Sequence, residues 1–190
     1  GSLIKSVMTK TTQADARALA DAGVIFFAHP RCTGMVAPSQ LENKRVFASV
    51  VATWFSLAAA GIWVDGCAEG MGIEALYKTI HGEPCLSLDQ NRSWLNFTHQ
   101  ASQSSESPHI VSRPLYENSL NLTPDQEDQL KKADYVWWAS ASQFLRFKNL
   151  VRTDVIHSCG FGRTYDLLKE HKINPFCFLN VKEWRKWLEV

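Results

Sequence analysis

The stretch Tyr135–Leu168, YVWWASASQFLRFKNLVRTDVIHSCGFGRTYDLL, narrows the folds open to this chain more than any other. An apolar run from Tyr135 to Ala139 has the length and aromatic content of a strand. Ser140 and Ser142 end it, and a helical pattern follows with Phe144, Leu145 and Phe147 as its apolar positions. A second strand, Val155 to Ser158, breaks into the turn Cys159-Gly160-Phe161-Gly162-Arg163, and a helix opens near Thr164. Strand, helix, strand, helix in that order predicts a parallel α/β sheet, because parallel neighbours need a crossover between them. Ligands of such sheets bind beyond the carboxyl ends of the strands, where these small polar residues fall.

The unit occurs twice. The earlier copy is Val24–Leu57: the strand VIFFA, then His29, a connection, the strand RVFAS and the helix ATWFSL. Ala28 matches Ala139 and Thr53 matches Thr164, both at an offset of 111; Leu57 and Leu168, and Ile62 and Ile173, keep it. Few residues are identical, so the repeat is one of pattern. One offset that serves strand, turn and helix predicts two similar lobes, residues 3–113 and 114–190.

The totals set bounds. A chain of 190 residues holds one sizeable domain or two small ones. With 45% hydrophobic and 21% charged residues it reads as an ordinary folded protein. A net charge of +1 gives no global attraction to nucleic acid or to an anionic membrane. No apolar stretch reaches membrane-spanning length and no secretory signal stands out, so the expected setting is the cytoplasm. The five cysteines, Cys32, Cys67, Cys85, Cys159 and Cys177, form no CxxC pair, and an odd number argues for reduced thiols. The seven tryptophans are expected in the core or lining a cleft.

Along the chain, the pattern predicts a strand at Leu3–Val7, a helix over Thr12–Ala22 capped by Thr12, and a strand at Val24–Ala28. His29-Pro30-Arg31-Cys32-Thr33-Gly34 then breaks all regularity at a strand end. Strands follow at Arg45–Ser49 and Ile62–Val64, a helix at Thr53–Ala60, a loop at Gly66–Gly72 and a helix at Ile73–Ile80. Ser93–Thr98 reads as a strand and Gln100–Pro108 as a loop. Ile110–Arg113 and Leu115–Glu117 read as extended segments broken by Pro114. Thr123, Pro124 and Gln126 spell the start of a helix over 124–133 with a capping box. Phe176–Leu179 is a last strand, and Asn180 with Glu183 starts a final helix expected to bury Trp184, Trp187 and Leu188.

Motifs are sparse. GxSxG, P-loop and HExxH are absent, and Gly160-Phe161-Gly162 lacks the third glycine of a dinucleotide fingerprint. A turn at a helix N-terminus presents free N–H groups to a carboxylate or phosphate, with Thr164 adding a hydroxyl and Arg163 a charge. The same turn is equally read as a plain cap. His157, Cys159, His171 and Cys177 match no common zinc spacing. His29 ends a strand at the predicted cleft, as a ligand group or as a capping histidine. No acid/base or nucleophile constellation follows from spacing alone.

Taken in order, these elements resemble uroporphyrinogen-III synthase, a family of two Rossmann-like α/β lobes joined by a two-strand linker. Each lobe of that family has an apolar strand ending in hydroxyl residues, a second strand, and a G-x-x-T-A-like turn into a helix followed by G(I/L). Here the second lobe reads YVWWASAS, then HSCGFGRTYDLLKEHKI, and the first VIFFAHP, then FASVVATWFSLAAAGI. Leu115-Tyr116 holds the place of the Val-Tyr strand end between the lobes. The departures are Ala28-His29 and Ala139-Ser140 at the strand ends, Ser49 in place of glycine, and both threonines one residue late. A loop at Gln100–Pro108 stands where the family has a helix. Its N-terminal strand and helix have no counterpart. Gly1-Ser2 reads as a vector remnant, so an N-terminal segment is expected to be missing, or supplied by a fused or partner chain.

The resemblance implies a cyclising hydro-lyase of tetrapyrrole (heme) biosynthesis. Its substrate is the linear tetrapyrrole hydroxymethylbilane. It closes this to uroporphyrinogen III, inverting the last pyrrole ring and losing water through a spiro intermediate, with no metal or organic cofactor. No nucleic acid or membrane partner is implied. Carried over by position, Tyr116 stands near the departing hydroxyl, Thr53, Thr164 and Ser140 hold carboxylates, and Gly160 and Gly162 supply turn amides. His29 and Arg163 join on position and charge alone. Two other functions fit the same pattern: a catalytically inactive binding or structural module of this fold, and an unrelated two-lobed α/β enzyme such as a sugar-nucleotide glycosyltransferase.

Overall fold

The structure, a computed structural model, describes residues 7–11, 16–86, 92–99, 108–119 and 121–189. The chain divides into two compact units, one made by residues 8–119 and the other chiefly by residues 120–190. The first unit holds a six-stranded sheet. Its strands are β1 (Val7–Thr11), β2 (Val24–Phe27), β3 (Arg45–Ala48), β4 (Gly66–Cys67), β5 (Trp94–His99) and β6 (Ile110–Ser119), in the order β1-β6-β5-β2-β3-β4. From β6 to β4 every neighbouring pair is parallel. The helices α1 (Ala16–Asp21), α2 (Val51–Ala59) and α3 (Ile73–Gly82) lie between strands in the chain.

A parallel sheet covered on both faces demands apolar residues at every position of its central strand. β2 meets that demand: all four residues are buried. Ile25 and Phe27 join one core with Leu19, Val46, Leu57, Leu95 and Phe97. Val24 and Phe26 join another with Phe47, Ile73, Ile80, Trp94 and Ile110. Across that second face Phe47 and Trp94 stack with ring centroids 5.6 Å apart. Each such fully buried side chain contributes about 1.5–3 kcal/mol.

The second unit is smaller. α4 (Pro124–Lys131) leads into β7 (Tyr135–Trp138), α5 (Ala141–Phe147), β8 (Ile156–Cys159), α6 (Arg163–Glu170), β9 (Phe176–Cys177) and α7 (Val181–Leu188). Its three strands run parallel in the order β7-β8-β9. One face is a packed core of Val136, Trp138, Phe144, Phe147, Cys159, Leu167 and Leu168. The other face carries Trp137, Phe178, Trp184 and Trp187 in a chain of ring contacts.

The repeat holds at the level of single hydrogen bonds. β2 and β7, and β3 and β8, occupy matching residues at the offset of 111. Both helices that follow end alike. Gly61 N–H donates to the Ala58 carbonyl at 3.0 Å, and Lys172 N–H to Lys169 at 2.9 Å; Ile62 N–H donates to Leu57 and Ile173 N–H to Leu168, both at 3.0 Å. The residue at the cap is left-handed in each copy, Gly61 at φ 78° and Lys172 at φ 60°. Such a cap satisfies carbonyls that the last turn leaves open. Leu57 and Leu168, fully buried, anchor the two helices to their own sheets.

Several elements differ from the sequence pattern. The first strand lies at Val7–Thr11; residues 3–6, the expected cap Thr12 and most of the loop Gln100–Pro108 fall outside the described residues. Residues 30–35 form a 3-10 helix, because Pro30 at its first position and the His29 cap stabilise one. Ile62–Val64 does not pair; Ile62 is held by the Leu57 carbonyl, and pairing waits for Gly66–Cys67. Glycine fits there because the Phe47 ring would stand 3.1 Å from a Cβ at Gly66. Pro114 does not break β6: it sits opposite Thr98, beside a bulge at which Leu115 is the extra residue and Tyr116 pairs with His99. Leu145, Trp187 and Leu188 are exposed, and α7 has no fully buried residue. Trp94 and Trp138 are core tryptophans, but Trp54 and Trp63 are exposed. Among the described residues no helix is long and apolar enough to cross a membrane.

The shared cap makes a test. Gly61→Ala puts a Cβ into a left-handed position and is expected to lower stability by about 1 kcal/mol, whereas Lys172→Gly is expected to raise it by about 1 kcal/mol. Urea midpoints of the two variants, measured beside the parent, should move in opposite directions.

Candidate functional site

In each unit the polar residues gather where strands end. His29 follows β2 and caps the next helix, its Nδ1 accepting the Arg31 N–H at 3.1 Å. The matching residue of the second unit, Ser140, does the same after β7: its hydroxyl accepts the Gln143 N–H at 3.3 Å and lies 3.0 Å from that of Ser142. Both are strand-end residues in extended backbone, as an N-cap requires. Sequence order alone placed them there.

The second strand of each copy ends differently. Ser49 donates its hydroxyl to the Ala28 carbonyl at 2.7 Å and lies 3.1 Å from the Thr53 hydroxyl. Thr53 is wholly buried. Its hydroxyl therefore braces Ser49 and the β2 strand end. The residues open to solvent at this turn are apolar, Val50, Val51 and Trp54. In the second unit Gly160 and Gly162 replace that brace. Gly162 takes φ 96° at the N-cap of α6, a conformation that favours glycine. Phe161 between them is 62% exposed, at the place of Val50. Thr164 is half-buried in the first turn of α6, and Arg163 is exposed, 3.5 Å from Glu170.

The remaining predicted residue, Tyr116, is buried on β6 within the first unit. The structure brings it together with His29, ring centroids 5.9 Å apart, and with a residue the sequence reading missed, His99, also at 5.9 Å. His99 ends β5 as His29 follows β2: a titratable residue at the close of a strand was the available signal. Thr53, Ser49, His29, His99 and Tyr116 thus belong to the first unit, and Ser140, Gly160, Gly162, Arg163 and Thr164 to the second.

Burial lowers the pKa of the His29 imidazole, and the Arg31 charge and His99 lower it further. Burial alone lowers His99. In the second unit burial lowers His157, whose Nδ1 accepts the Trp138 indole N–H at 2.9 Å. The thiols of Cys32 and Cys159 are pushed up to about 12 by burial, so both are inert as nucleophiles at neutral pH. Cys159 also faces Cys177 across the β8–β9 pairing. Among the described residues no three His, Cys, Asp or Glu side chains converge as a metal site.

No family model matches the chain, and no curated protein matches it. Solved structures do. A mutant uroporphyrinogen III synthase from the extremely thermophilic bacterium Thermus thermophilus superposes with a TM-score of 0.52 at 16% identity, covering 92% of this chain and 81% of that one. The wild-type enzyme of the same organism gives 0.44 at 16% identity, over 93% of this chain and 81% of that one. A further structure of it gives 0.43 at 14% identity, over 93% and 82%. The first of these likenesses establishes the fold: a two-lobed α/β chain of the uroporphyrinogen III synthase type.

The lowered histidines give a pH dependence with a definite sign. Folded His29, His99 and His157 hold protons less firmly than the unfolded chain does, so the unfolded state binds more protons as pH falls. Their stabilisation is full above the unfolded value of about 6.5 and is lost as pH drops below it toward the folded values. Urea midpoints are expected to fall between pH 7.5 and roughly pH 5, and to fall less in His157→Gln, whose amide oxygen still accepts from Trp138.

Proposed function

We propose that this chain is a uroporphyrinogen-III synthase, a cytoplasmic cyclising hydro-lyase that takes hydroxymethylbilane to uroporphyrinogen III. The observation that carries the reading is the superposition over 92% of the chain. It is joined by Tyr116, the residue expected beside the departing hydroxyl, which pairs with the last residue of β5 and lies among polar rings. The substrate bears eight carboxylates on flat heterocycles. Ser140, the glycine turn at Gly160 and Gly162, Thr164 and Arg163 are suited to carboxylates. Exposed Phe161 and Trp54 are suited to pyrrole faces. Thr53 serves as a positioning residue through Ser49. Catalysis on this reading is mainly the holding of reacting carbons in one geometry, a large effect that needs no acid/base pair.

A second reading keeps the fold and loses the reaction. The buried, hydrogen-bonded Thr53 and the apolar Val50 favour it, because the first unit's turn presents no threonine hydroxyl to a ligand. One assay separates the two. Hydroxymethylbilane is incubated with and without the protein, and the isomers are resolved after oxidation. An excess of isomer III is expected, with the rate about tenfold to a hundredfold lower in Tyr116→Phe. Isomer I alone, the product of spontaneous closure, selects the binding module. Thermal stabilisation by sugar nucleotides and none by uroporphyrinogen would favour a glycosyltransferase-like enzyme instead.

A further inference from the structure

We propose that His29, His99 and Tyr116 form a carboxylate-binding site in the first unit, and that His99 takes up a proton as the carboxylate binds. Only the identity of the natural ligand rests on the synthase reading.

Three strands contribute. His29 follows β2, His99 ends β5 and Tyr116 lies on β6, so the three meet at the carboxyl edge of one parallel sheet. The β-bulge assembles them: in an unshifted register His99 would pair with the core residue Leu115 in place of Tyr116. Each imidazole lies 5.9 Å from the phenol ring, centroid to centroid. Tyr116 is buried, His99 half-buried, and His29 reaches solvent, so a ligand has a way in.

The two imidazoles are not equivalent. The Nδ1 of His29 is occupied as the acceptor for Arg31 N–H. Its neutral ring therefore carries the proton on Nε2 and offers a fixed donor. Protonating Nδ1 would break the cap of the 3-10 helix, so His29 stays neutral. His99 has no such tie. The titratable and charged groups facing it among the described residues are His29 from β2, with Arg31 behind it, and Tyr116 from β6. None of these is an anion at neutral pH. A cation on His99 is unfavourable in the empty site, and a bound carboxylate removes that penalty. Burial of the His99 ring acts in this direction.

The linkage has one sign. Free His99 is neutral at pH 7, and beside a carboxylate it is protonated. Binding then consumes a proton, and affinity falls as pH rises. Calorimetric titration of the full chain tests this, in two buffers of different ionisation enthalpy. The probes are uroporphyrinogen III under argon and, separately, mellitate, a benzene ring bearing carboxylates without any pyrrole. About one proton taken up per ligand is expected, with affinity dropping up to about tenfold per pH unit above neutrality. His99→Gln should bind with no proton uptake and a flat pH profile. His29→Asn, which keeps an N-cap, should bind several-fold more weakly with the uptake intact.

Binding without proton uptake, or a His99→Gln variant indistinguishable from the parent, overturns the proposal, as does a folded protein that binds neither probe. Proton uptake with mellitate but no binding of uroporphyrinogen leaves the site standing and removes the tetrapyrrole reading. Should His99→Gln fail to fold, histidine resonances of the unmodified chain give the same answer. The His99 pKa must rise when mellitate is added, and an unmoved value overturns the proposal.

Discussion

A parallel strand cannot turn back on its neighbour; the chain must cross over and start again from the same edge. Every strand of a parallel sheet therefore ends on one side, and whatever follows a strand is delivered there. This constraint organises both units of the chain. It explains why His29, Ser49, His99 and Tyr116, separated by up to 87 positions, cluster along one edge of a sheet. It also explains why the core is so apolar. A central strand such as β2 has helices over both faces, and a polar side chain on either would be buried without a partner.

The two copies show which parts of that solution are structural. Helix ends, caps and buried leucines match to the individual hydrogen bond, although the sequences differ almost everywhere. The backbone makes those bonds, so nearly any side chain serves, and a lysine stands in the left-handed position that glycine fills in the other copy. The strand ends diverge. His29 and Ser140 perform one capping task with different chemistry, and a serine–threonine brace in one copy becomes an open glycine turn in the other. The local hydrogen bonding thus differs at the strand ends while the helix ends keep one pattern.

Much of this was legible in the chain itself. The capping box at Thr123 was spelled by Thr-Pro-x-Gln and appears with both of its hydrogen bonds. The two-lobed α/β class followed from one offset shared by strand, turn and helix. What escaped was set by partners distant in sequence. Pro114 looked like a strand breaker because local rules remove its N–H from a ladder, yet a bulge against β5 accommodates it. The same bulge, invisible in sequence, brought His99 to Tyr116. The apolar face of α7 predicted burial, but Trp187 and Leu188 stay about two-fifths exposed on the sheet face beneath it. Thr53 matched Thr164 in pattern and not in environment, because burial depends on Ser49 standing where the other copy has Gly160.

That substitution bears on function directly. A glycine at a strand end leaves backbone N–H groups open to an anion; a serine that bonds back to the strand, with apolar neighbours, closes that route. The polar rings that the first unit gathers at the same edge are the imidazoles flanking Tyr116. Backbone amides hold an anion at any pH above its own ionisation, whereas an imidazole holds it only with a proton to share. An edge built on the second device responds to pH near neutrality, where one built on the first does not. Ser49 beside His29 and His99 in one unit, and Gly160 in the other, are where the two copies part in what a strand end offers an anion.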